Sequence, residues 1–117
     1  MRVADRPKTV LAGGVAWEEL ATPGGHDMEP ALLHIPAGQG SGGPIVRPGA
    51  DFVFVMTGQL IFALGEHQEE ITLATGDAMV VEAGTPVAWR NEGSSLATCL
   101  WIELIASLRA EAGEKWG

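Results

Sequence analysis

Sixteen glycines and seven prolines fall at short intervals along 117 residues, with brief apolar runs between them. That punctuation leaves little room for long helices and predicts many short strands joined by tight turns. The expected strands are Val15–Leu20, Met28–Ile35, Phe52–Met56, Leu60–Leu64, Glu69–Leu73, Ala78–Glu82, Val87–Arg90 and Leu96–Leu104. Phe52–Met56 and Leu60–Leu64 flank Thr57-Gly58-Gln59 and read as a hairpin, with Gly58 supplying a positive φ. Between Ile35 and Pro44 the glycine-rich run predicts a long flexible connection. Asp77, directly after Gly76, reads as turn chemistry through side-chain bonds to backbone. Even strand spacing of this kind implies a sandwich or a closed barrel, which also disposes of free strand edges.

The chain has the length of one domain and an ordinary globular composition, 46% hydrophobic and 19% charged. Fifteen acidic against seven basic side chains give a formal net charge of −8, spread thinly rather than blocked. Such a surface repels phosphate backbones and anionic lipid, so neither direct nucleic-acid binding nor a membrane role is expected. No run approaches the ~20 apolar residues of a membrane span. The N-terminal stretch is too short in apolar residues for a secretory signal, and a cytoplasmic location is the default expectation. Cys99 is the only cysteine, which excludes an internal disulfide and a cysteine-based zinc site. Its apolar neighbours predict a buried small hydrophobe rather than a reactive thiol.

From Pro44 to Asn91 the sequence resembles the paired motifs of the cupin superfamily. The first motif is Gly38 through Ile45-Val46-Arg47, Asp51 and Gly58; the second is Gly76, Glu82-Ala83-Gly84, Val87 and Asn91. The resemblance implies an all-β cupin barrel, a double-stranded β-helix or jelly roll. One domain would span 1–117: an N-terminal arm over 1–14, a motif-bearing core over about 28–104, and a tail or short helix over 105–117. The order of elements is also similar to the cupin sensor domain found behind helix-turn-helix domains in bacterial regulators.

In metal-bearing cupins, two histidines and a glutamate of the first motif and a histidine of the second hold the ion. Those positions here are Ile45, Arg47, Asp51 and Val87. One potential donor in four is too few for a divalent metal, and a guanidinium repels one, so neither metal nor cofactor is expected. His26, His34 and His67 show no i,i+2 pairing that would put two imidazoles on one strand face.

The resemblance aims the four motif positions into the barrel, and strand alternation adds Val53, Val55 and Trp89. The expected pocket is therefore Ile45, Arg47, Asp51, Val53, Val55, Val87 and Trp89, with Met79 and Trp101 as additions of unassigned phase. Trp17 and Trp116 carry no such expectation. Two readings of Arg47 stay open: a filler paired with Asp51, or an anchor for a ligand carboxylate or phosphate. No internal histidine, no tyrosine and one guanidinium-paired acid disfavour catalysis. The expectation is a metal-free module binding a small organic molecule, anionic or aromatic, as a sensor linked to transcription regulation. Its DNA-binding part would lie in a longer protein or a partner. The alternative is an enzyme, an isomerase, lyase or dioxygenase-like protein. Small cupins pair by strand exchange or sheet packing, so a homodimer is expected, with Met28–Ile35 as its surface.

Overall fold

Along residues 51–55 every second side chain is buried, as a strand with one face on a core requires. The computed structural model describes residues 8–10, 12–20 and 28–104. These contain nine strands: β1 (Lys8–Val10), β2 (Ala16–Glu19), β3 (Met28–Ile35), β4 (Asp51–Thr57), β5 (Gln59–Leu64), β6 (Glu69–Ala74), β7 (Ala78–Val81), β8 (Val87–Arg90) and β9 (Ala97–Leu104). A six-stranded sheet has the order β1-β2-β3-β9-β4-β7 and a three-stranded sheet the order β6-β5-β8, with every pairing antiparallel. The two inner faces meet over Leu33, Ile35, Val53, Val55, Leu60, Phe62, Ala97 and Cys99, each at most 1% exposed. This is the jelly-roll arrangement that the cupin resemblance implies, and it falls within the sandwich or barrel that the strand spacing predicts. The expected tail or helix over 105–117 lies outside the described residues, as does most of the expected N-terminal arm, although β1 extends the larger sheet by pairing with β2.

One local expectation is overturned. β4 and β5 do not form a hairpin, because both edges of β4 are taken by β7 and β9, and both edges of β5 by β6 and β8. The β4–β9 register shifts between Val55 and Thr57, and the chain leaves the larger sheet there. Gly58 does adopt the positive φ expected of it, 86°, but uses it to cross between sheets. A side chain at this position would also stand 2.9 Å from the Ala97 Cα, so the crossing is too tight for one.

Nor is the connection between β3 and β4 a free loop. It runs beside β8 as an irregular extra strand, with Gly38 N–H donating to Asn91 O (2.8 Å), Ser41 N–H to Trp89 O (2.8 Å) and Ile45 N–H to Val87 O (2.8 Å). Gly40 permits that approach, since a Cβ there would sit 2.4 Å from Trp89 O. Asn91 ties the far end: its buried amide donates to Ile35 O (2.9 Å) and Ser95 O (2.8 Å) and accepts from Gly93 N–H (2.9 Å). Asp77 behaves as expected, accepting from Ala74 N–H at 2.9 Å to close the turn before β7.

Candidate functional site

Pinning this connection to β8 leaves a cavity between the sheets of about 220 Å³. Trp17 of β2 and Leu33 of β3 stand opposite each other in register and form part of its wall. Trp101 of β9, Val87 and Trp89 of β8, and Ile45 and Arg47 of the connection complete it. Ile45 and Val87 are bridged by reciprocal backbone hydrogen bonds of 2.8 and 2.9 Å, which sets their side chains side by side. Ile45 is 40% exposed and forms rim, whereas Val87 and Trp89 are buried and form wall.

Arg47 carries the electrostatics. Its Nε lies 3.0 Å from Asp51 Oδ2 and donates to Oδ1 at 3.3 Å, while its Nη2 donates to Glu103. Asp51 and Glu103 face each other across the β4–β9 register, so two carboxylates share one guanidinium. Asp51 is 1% exposed, and that burial pushes its carboxyl above the usual carboxylate range, with Glu103 adding to the rise. Arg47, and to a lesser degree the Trp101 indole, pull it back down, but desolvation wins. Asp51 Oδ2 and the Trp101 indole nitrogen are both buried without a hydrogen bond of good geometry.

Of the residues singled out from sequence, Ile45, Arg47, Val87 and Trp89 line the cavity, and Asp51 lies behind Arg47 in contact with it. Val53 and Val55 share Asp51's face of β4 but do not line the cavity. Both are fully buried in the cluster that holds Leu60, Phe62 and Cys99, where the two sheets close on each other. Met79 is half-buried against that cluster, and Trp101 takes a place on the wall. Trp17, Leu33 and Glu103 were not anticipated. Phase puts Leu33 and Glu103 on the inward face, because each lies two residues from an inward-pointing residue of its strand, Ile35 and Trp101 respectively. Trp17 follows Val15 by two residues, and Val15 is 1% exposed.

A family model described as "Cupin domain" matches residues 31–103. This chain belongs to the cupin family. Solved structures agree in fold. A sugar phosphate isomerase of the cupin superfamily from Silicibacter pomeroyi superposes with a TM-score of 0.76 at 18% identity, covering 91% of this cupin and 75% of that chain. The hydroxypropylphosphonic acid epoxidase from S. wedmorenis gives 0.74 at 20% identity, covering 89% of this cupin and 58% of that chain. The cupin domain of Schizosaccharomyces pombe Cnp3 gives 0.72 at 10% identity, covering 89% and 70%. This cupin thus spans little more than half the length of the epoxidase. No curated protein sequence matches it.

Ile45, Arg47, Asp51 and Val87 together offer a metal a poor donor set. Ile45 and Val87 have no lone pair, Arg47 is a permanent cation, and the Asp51 carboxylate is engaged by it. A divalent ion does not fit these side chains. Among the described residues no group of three or more His, Cys, Asp and Glu side chains is arranged to hold a metal elsewhere. His34 is the nearest approach to a catalytic group, with Nε2 2.6 Å from Glu18 Oε1 and Nδ1 3.1 Å from Thr98 Oγ1. It alternates with Leu33 along β3, so it lies on the opposite face of the sheet from the cavity. His67 is exposed in the β5–β6 turn, and His26 falls outside the described residues. Burial pushes the Cys99 thiol up to about 12, so it stays protonated and inert as a packed hydrophobe. No described helix is long and apolar enough to cross a membrane.

Proposed function

We propose that this cupin is a metal-free, non-catalytic module that binds a small organic molecule inside its barrel and acts as a sensor, linked to transcription regulation through a longer chain or a partner. One observation carries the reading: the cavity between the sheets is walled by three indoles, a leucine, a valine and an isoleucine, with Arg47 beside them. Ligand pockets have this character, mostly apolar with few polar groups. At 220 Å³ the cavity has about seven times the volume share of a liquid water, which limits the guest to a small molecule.

Binding to the folded state alone raises its stability. A ligand at about a hundred times its Kd adds about 2.7 kcal/mol, a readily measured rise in Tm. A small-molecule panel read by thermal shift and by tryptophan fluorescence is expected to return at least one such compound. A panel in which no compound moves either signal would leave only a filled remnant of an ancestral pocket.

The enzyme reading draws on the epoxidase and isomerase among the structural neighbours and on Asp51, a buried acid with a raised pKa. It is the weaker one, because Asp51 is enclosed behind Arg47 and no histidine among the described residues reaches the cavity.

We further propose a homodimer. Both edges of β3 are paired, so its contribution is not strand exchange but the outer sheet face, where Leu32, Phe52, Phe54, Leu100 and Ile102 are only half-buried and Val80 is 56% exposed. Sedimentation is expected to show a dimer at about micromolar concentration, and Val80→Glu to dissociate it; a parent chain that sediments as a monomer would end this proposal.

A further inference from the structure

We infer that the ligand is a small organic cation, an alkylated ammonium group held against the indole wall, an inference that rests on the cavity being a binding site at all. Two features of the cavity point to it. Trp17, Trp89 and Trp101 come from three different strands and reach one space of about 220 Å³, and the faces of indoles attract cations more strongly than those of any other side chain. The charged lining of the same cavity is Arg47, whose ion-pair partners Asp51 and Glu103 set two negative charges against its one.

Arg47 would by itself suggest an anion, but two of its nitrogens already hold carboxylates. Nε goes to Asp51 and Nη2 to Glu103, so an incoming carboxylate would compete with two resident carboxylates for one guanidinium. An anion entering there adds a third negative charge to a half-buried cluster whose formal sum is already −1. A cation entering brings that sum to zero. The acidic surface, −8 in total, draws cations toward the chain and repels anions. The aliphatic walls, Leu33, Ile45 and Val87, suit methyl groups better than a bare ammonium, which keeps its water tightly. Alkylation spreads the charge and lowers that hydration cost, so a trimethylammonium group meets both halves of the wall.

The test uses the full chain and three probes of nearly the same shape and different charge: choline, its uncharged carbon isostere dimethylbutanol, and the anion dimethylbutyrate. Binding is read by calorimetry and by tryptophan fluorescence. Choline is expected to bind about tenfold or more tighter than dimethylbutanol, with dimethylbutyrate weakest. Trp17→Leu changes a half-buried side chain, and Glu103→Gln removes a charge while keeping the side chain's shape; each is expected to shrink the choline preference several-fold while the variants keep the parent's circular dichroism. Equal affinity for choline and dimethylbutanol, or a preference for the anion, would overturn the inference while leaving the binding module intact. So would silence from all three probes when other compounds of the wider panel bind. Silence from every compound would remove the inference and the binding function together.

Discussion

Arg47→Ala is expected to cost about 2–4 kcal/mol of stability at neutral pH and to return much of that loss as the pH falls toward the ordinary carboxylate range. Arg47 is the cation that faces Asp51 and Glu103, and Asp51 is 1% exposed. Removing the guanidinium leaves a buried charge and a half-buried one opposed across the β4–β9 register. The sign of the pH dependence follows from Asp51, whose pKa in the fold is raised above its ordinary 3.8 even with Arg47 present, because desolvation exceeds the attraction. A carboxyl with a raised folded pKa favours the fold most below its unfolded pKa, and that contribution is lost as pH rises through the folded value. Taking away Arg47 removes the largest of the influences that lower it, so the folded pKa climbs further and the window of lost stability widens toward neutrality. Urea denaturation of parent and variant at several pH values checks this. A loss that is the same at every pH would mean that Arg47 acts through the packing of its stem rather than its charge.

A second large effect should come from placing imidazoles at the motif positions. The triple variant I45H/R47H/V87H joins Asp51 in a set of three nitrogens and one oxygen, which suits zinc or nickel, and is expected to bind either with about micromolar affinity or better. The four positions are close in this cupin: Ile45 and Val87 are bridged, Arg47 touches Asp51, and Ile45, Arg47 and Val87 line one cavity. Burying an imidazole at Val87, which is 1% exposed, costs stability without metal, so the variant should melt lower than the parent alone and recover when metal is added. Calorimetric titration and thermal melts with and without zinc measure both. A folded triple variant that ignores zinc and nickel would show that the four positions do not converge on one point.

Strand positions and the inward motif residues were legible because alternation and glycine-marked turns are local signals. Met28–Ile35 is read to its ends, and Val87–Arg90 likewise. Partner choice is not local. Thr57-Gly58-Gln59 looks like a hairpin turn, and only the occupation of β4's edges by β7 and β9, distant in sequence, makes it a crossing. The cavity shows the same division. Ile45, Arg47, Val87 and Trp89 come from the two motifs, whereas Trp17 and Leu33 enter through the β2–β3 pairing, which no motif marks. Val53 and Val55 have the right phase but the wrong depth, since alternation gives the face of a strand and not how far along it the cavity extends. Glu103 needed both the phase of β9 and its register with Asp51.

The proposed binding function requires the interior of this cupin to be an organic pocket rather than a metal centre. Elemental analysis by plasma mass spectrometry tests that most directly, on untagged protein from cells grown with added iron, manganese, nickel and zinc. Less than about a tenth of an equivalent of any transition metal per chain is the predicted result. One equivalent retained through dialysis against a mild chelator, and lost on Asp51→Ala, would contradict it.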